Sequence, residues 1–223
     1  MKGPIFCALC AATFGCVGIT IFNESPARGS TLDLQQQNPD LYAGFLTADY
    51  TPSSGSTGSF TATGWPISFN VSGTSEPDYP TINGGTYSLS ASITKTGLPL
   101  SGSLNVTGTI PGLATSGTLL KGTLAQFGFA PGGGDIFEFI YNITGGDLAP
   151  FYHGKTGVIL TATGSGFTGS FTTNFATNAS QAASDNFIMP VPEPSSALLF
   201  MALIGIGMLS ARFRWWHGGR LVT

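Results

Sequence analysis

Three acidic side chains bracket the most aromatic segment of this chain, and they are its first candidates for chemistry. Asp135, Glu138 and Asp147 flank the run Phe137, Phe139, Tyr141 and Ile143. Asp135 and Asp147 lie in glycine-rich turns, where carboxylates and backbone carbonyls together can hold a calcium ion. The dense D-x-D-x-D spacing of a calcium loop is missing. Turn-favouring Asp residues and one Glu on a solvent face therefore account for the three more simply. Glu138 alternates with Phe137 and Phe139, which puts it on the opposite face of a strand. His153 is the one histidine between residues 30 and 188, too few for a zinc site. There is no G-x-S-x-G nucleophile elbow, and Gly132-Gly133-Gly134 lacks the lysine and helix of a phosphate loop. No catalytic residue, metal ligand or cofactor is assigned, and the chain is not expected to be an enzyme.

Two binding chemistries have residues of the right type. Trp65, Tyr79, Phe151 and Tyr152 could line a platform on which sugars stack, although buried or edge aromatics are the simpler account. Asn70, Asn105, Asn142 and Asn178 each begin an N-x-Ser/Thr triplet, but a chain so rich in Ser and Thr yields such matches by chance. All three cysteines, Cys7, Cys10 and Cys16, lie in the N-terminal apolar stretch. The C-x-x-C spacing of the first two is a chance feature of that stretch, and a lipid-modified Cys16 would need a better aliphatic residue at position 13.

The elements that must position any such site are strands. Glycine numbers 32 of 223 residues and only 9% of the chain is charged, far below the usual quarter. From Ser30 to Pro190 there are nine acids and three lysines, a net charge of 3 − 9 = −6. That balance argues against nucleic-acid binding and against adhesion to anionic lipid. Apolar and polar residues alternate over Ile67–Val71, Tyr87–Thr94, Leu100–Ile110 and Phe137–Ile143, the pattern of a strand with one face in a core and one in water. Over Leu119–Phe129 the apolar positions switch from even to odd, which predicts a bulge near Gly122 or Gln126. Further strands are read at Leu41–Tyr50, Gly157–Thr163 and Gly166–Phe175, with Thr31–Asp40 as a polar lead-in ending in the turn Asn38-Pro39-Asp40. About nine short strands predict an all-β fold: an antiparallel β-sandwich, with a closed β-barrel as the alternative.

Both ends carry processing features. Lys2, an apolar stretch from Ile5 to Phe22 and small residues at Ser25 and Ala27 read as a signal peptide over residues 1–29, with an uncleaved anchor as the alternative. Cleavage would leave the exported domain, residues 30–188, without cysteine. At the other end Val191-Pro192-Glu193-Pro194-Ser195 precedes an uncharged run to Leu209, followed by Arg212, Arg214 and Arg220 with Trp215 and Trp216 among them. Prolines at 190, 192 and 194 hold that segment extended and free of pairing, as suits a peptide read by another protein. The run over about residues 195–211 is about 17 residues, roughly 26 Å as a helix and near the lower limit for a transmembrane helix. The basic tail would hold the C-terminus on the cytoplasmic side.

This order of dock, apolar run and basic tail resembles the C-terminal sorting signal of PEP-CTERM proteins, over residues 189–223. The resemblance implies an exosortase-like membrane protease that removes the tail, transient anchoring by the helix, and a final place at the cell surface or outside the cell. It further implies association with extracellular polysaccharide, and so with a biofilm or the cell envelope. A plain membrane anchor with a proline-rich stalk is the alternative for the same residues. The expected function is that of a non-enzymatic surface or matrix protein. A carbohydrate-binding adhesin is the first alternative, and a secreted hydrolase the second.

Overall fold

The structure is a computed structural model that describes residues 30–188. Eight antiparallel strands fill it: β1 (Gln35–Pro52), β2 (Thr57–Asn70), β3 (Tyr87–Thr94), β4 (Pro99–Ile110), β5 (Thr115–Phe129), β6 (Ile136–Gly145), β7 (Lys155–Ala162) and β8 (Phe175–Ile188). Each strand pairs with the next in sequence, and β8 returns to pair with β1, so the sheet closes into an up-and-down barrel. The expected sandwich is thus corrected to the alternative, a closed barrel, with eight strands rather than nine. A closed sheet has no edge on which N–H and C=O groups go unpaired.

The period-two pattern decides which side chains point inward. Tyr87, Leu89, Ala91 and Ile93 of β3 are all buried, as are Leu104, Val106 and Ile110 of β4 and Phe137, Phe139 and Tyr141 of β6. An eight-stranded barrel is just wide enough for side chains to fill it. One end is packed with aromatic rings: Phe171 stands edge-on to Tyr50 at 5.0 Å and to Phe129 at 4.8 Å, and Phe60 lies 5.1 Å from Phe137. The buried hydroxyls around Ser184 find partners. Tyr87 Oη lies 2.8 Å from Ser184 Oγ, and the Tyr152 hydroxyl donates to the Ser184 carbonyl at 2.9 Å. Burial pushes the pKa of both phenols above the ordinary tyrosine range.

Several sequence expectations change here. Gly166–Phe175 is not a strand; it forms turns that carry Phe167 and Phe171 back over the barrel's aromatic end. The last strand is Phe175–Ile188, whose inward residues after Phe175 include Ser180, Ala182 and Ser184. Small and polar inward residues conceal the alternation. The polar lead-in is partly strand, because Gln35, Gln36 and Gln37 pair with Ile188, Phe187 and Asn186. The bulge in β5 is present. Leu124 pairs with Tyr141 and Gln126 with Ile140, which leaves Ala125 unpaired and turns Phe127 inward.

No helix among the described residues is long and apolar enough to cross a membrane. The signal peptide at 1–29 and the transmembrane run at about 195–211 lie outside the described residues.

Candidate functional site

The most exposed aromatic surface among the described residues arises from an irregularity in β1. Gly44 pairs with Trp65 and Thr47 with Thr63, so Phe45 and Leu46 together oppose the single residue Gly64. Only glycine fits there, since a Cβ at Gly64 would lie 2.8 Å from the Gly44 carbonyl oxygen and 2.9 Å from the Leu46 Cα. Phe45 takes up the extra residue with φ +54°, a left-handed conformation that is uncommon for an aromatic residue. The kink turns Leu46 fully inward and throws the Phe45 ring out, leaving it 74% exposed. Trp65 is 60% exposed, and its ring lies 5.8 Å from that of Phe45.

Two hollows of about 400 and 410 Å³ flank this pair. The first is lined by Phe45, Ile67, Thr163, Asn178, Ser180 and Gln181, the second by Phe45, Trp65, Pro66, Pro80, Thr81 and Ile82 among others. No charged residue lines either one. Aromatic faces beside amides and hydroxyls can engage a neutral molecule that presents both C–H faces and hydroxyls. Strained backbone at a site of this kind is a feature of functional surfaces.

Of the four aromatics named from sequence as a platform, only Trp65 belongs to this surface. Tyr152 is buried, and Phe151 and Tyr79 pack on the core residue Phe69, with ring centroids at 5.5 and 6.1 Å. Phe45 carries no local mark in the sequence, because its exposure depends on a bulge that its own alternation does not reveal.

The carboxylates also sort themselves. Glu138 does point out of the barrel, but the expectation of a solvent-facing side chain is corrected, because it is 5% exposed. A strap formed by residues 30–34 lies over it and donates three backbone N–H groups to the carboxylate, from Leu32 at 2.5 Å, Asp33 at 3.2 Å and Leu34 at 2.8 Å. Gly128 makes room for the strap, since a Cβ there would meet Leu32. Asp135 accepts from the backbone of Gly164 and Ser165 and from the Ser165 hydroxyl, and these bonds, Gly164 first, hold its pKa below the usual carboxylate range. Asp147 accepts from the Thr115 hydroxyl. Each of the three carboxylates ties two segments together, and they do not converge. His153 is exposed. Among the described residues there is no group of three or more His, Cys, Asp or Glu side chains placed to hold a metal. Asn105, Asn142 and Asn178 are exposed on separate strands, and Asn70 is half-buried, its amide donating to the Thr74 carbonyl.

A pair of acids that sequence reasoning passed over meets at the seam where the barrel closes. Asp40 of β1 and Asp185 of β8 are register partners, just beyond a break in the ladder between Gln37 and Asp40. Asp185 is 1% exposed. Burial first, and the adjacent Asp40 second, push its pKa up to about 9. Nothing in the local sequence marks the pair, because the two residues lie at opposite ends of the domain.

The sorting residues Val191, Pro192, Glu193, Pro194 and Ser195 and the basic Arg212, Arg214 and Arg220 lie outside the described residues, beyond the end of β8. Residues 190–215 match the family model for the PEP-CTERM protein-sorting motif. The chain carries a PEP-CTERM signal. That signal implies export, exosortase-dependent sorting and a cell-surface or extracellular destination. No curated protein and no solved structure matches the chain.

Proposed function

We propose that this protein is a non-enzymatic component of the cell surface or extracellular matrix. It is exported, anchored transiently by residues 195–211, cut by an exosortase-type protease and retained by association with polysaccharide. The observation that carries this reading is the PEP-CTERM match at residues 190–215, two residues beyond the end of β8. Its test is Glu193→Ala, which removes the only charge of the Pro-Glu-Pro dock. The expected result is accumulation of uncut precursor in the membrane fraction, with Trp215 and Trp216 retained in its C-terminal peptide by mass spectrometry. Equal retention of that peptide in the wild type would reduce the segment to a plain anchor.

The second reading, a carbohydrate-binding module, is favoured by the Phe45–Trp65 pair and its uncharged hollows. Stacking of an aromatic side chain on a sugar face needs an exposed ring held in place, and both rings meet that need. Trp65→Ala is expected to weaken binding to a neutral polysaccharide at least tenfold on a glycan array while leaving the melting temperature within about 2 °C, as for other exposed positions. Undiminished binding by the variant would remove this surface from consideration. A hydrolase has less support, because Asp135, Glu138 and Asp147 each hold backbone or hydroxyl donors and stand apart.

A further inference from the structure

We propose that Asp40 and Asp185 form a binding site for a divalent cation of the calcium type, which pins the first strand of the barrel to the last. Three carboxylate oxygens of the pair, Asp40 Oδ1, Asp185 Oδ1 and Asp185 Oδ2, are buried and have no hydrogen-bond partner among the described residues. Burying such groups unpaired is costly. Two ionised carboxylates facing each other in a dry setting add mutual repulsion. A proton shared between the two acids would satisfy two of the three oxygens and leave the third stranded. A hard cation can take all three.

Among the described residues no basic side chain competes for the role. The three lysines of the domain are Lys95, Lys121 and Lys155, and none contributes to the setting of Asp185. The ionisable groups facing the pair are the phenols of Tyr87 and Tyr152, both engaged with Ser184. The Gln36 side chain stands beside Asp185 with its amide N–H toward the carboxylate, without a hydrogen bond of normal geometry. Asp40 is half-buried, so one side of the site faces water, which can complete the coordination shell. The break in the β1 ladder between Gln37 and Asp40 gives an irregular surround. Calcium tolerates such geometry and magnesium does not. Two carboxylates completed by water correspond to a weak extracellular-type site, with a Kd of about 10⁻⁴–10⁻³ M.

The test uses the full-length chain purified in detergent, first stripped with a chelator. Calcium is expected to bind at one ion per chain by isothermal titration calorimetry and to raise the melting temperature in a saturable way, with magnesium much less effective. Asp185→Asn is expected to lose the calcium-dependent shift and to bind at least tenfold more weakly. In chelator it should melt no lower than wild type, since the amide cannot ionise beside Asp40. Asp40→Asn carries the same calcium readout should Asp185→Asn fail to fold. A wild type whose melting and heat signal ignore calcium would overturn the proposal in favour of a shared proton. Unchanged affinity in both variants would also overturn it, placing the ion elsewhere.

Discussion

Phe139→Ala is expected to lower the melting temperature of the barrel by roughly 6–20 °C, the equivalent of about 3–5 kcal/mol at a domain of this size. Phe139 has no solvent exposure, and its ring lies 5.0 Å from Phe127, 5.4 Å from Phe60 and 6.1 Å from Tyr141. Truncation removes a large apolar side chain and three aromatic contacts together. Collapse into the space is limited because hydrogen-bonded strands surround it on every side. The loss is a large part of the total stability of a typical domain, about 5–15 kcal/mol. Thermal or urea melts of the two proteins decide the matter. An unchanged midpoint would mean that this face is not core.

Glu138→Ala should release the strap at residues 30–34. The carboxylate is the shared acceptor for three consecutive backbone N–H groups, and bonds to charged groups contribute about 1.5–3 kcal/mol each. The full sum is not expected, since the freed strap can swing out and hydrate its amides. A net loss of about 2–4 kcal/mol is expected instead. The sharper readout is local. Hydrogen exchange at Leu32, Asp33 and Leu34 should accelerate by about a hundredfold or more, while the amides of β3 and β4 slow or quicken only with global stability. Unaltered exchange at the three strap amides would show that Leu32 and Leu34 hold the strap by packing alone.

Strand identity was legible wherever one face is uniformly apolar. The alternation over Tyr87–Thr94 coincides with β3, and the switch between Leu124 and Phe127 marks the β5 bulge. β8 was missed because Ser180, Ala182 and Ser184 face inward without looking apolar. Sandwich and barrel share the same alternation. What separates them is whether Gln35 meets Ile188, a fact carried by no local pattern. The sites divide in the same way. The sorting motif is contiguous and was readable, whereas Phe45–Trp65 needs the register of two strands and Asp40–Asp185 needs the closing of the whole sheet.

That closing sets a timetable. The pair at the end of the β1–β8 ladder joins residues 35 and 188, separated by 153 positions along the chain (188 − 35). Long loops close slowly, and a sheet built on such pairings folds late. A chain synthesised from its N-terminus releases β1 first and β8 last. Until Ile188 emerges, β1 and β7 are both open edges, able to pair with other chains or to admit a protease. The PEP-CTERM match begins at residue 190, so the signal emerges just after the strand that completes the barrel. A chain cut short before β8 would present neither a closed barrel nor a signal. Closure of the barrel and the start of the signal thus lie within two residues of each other.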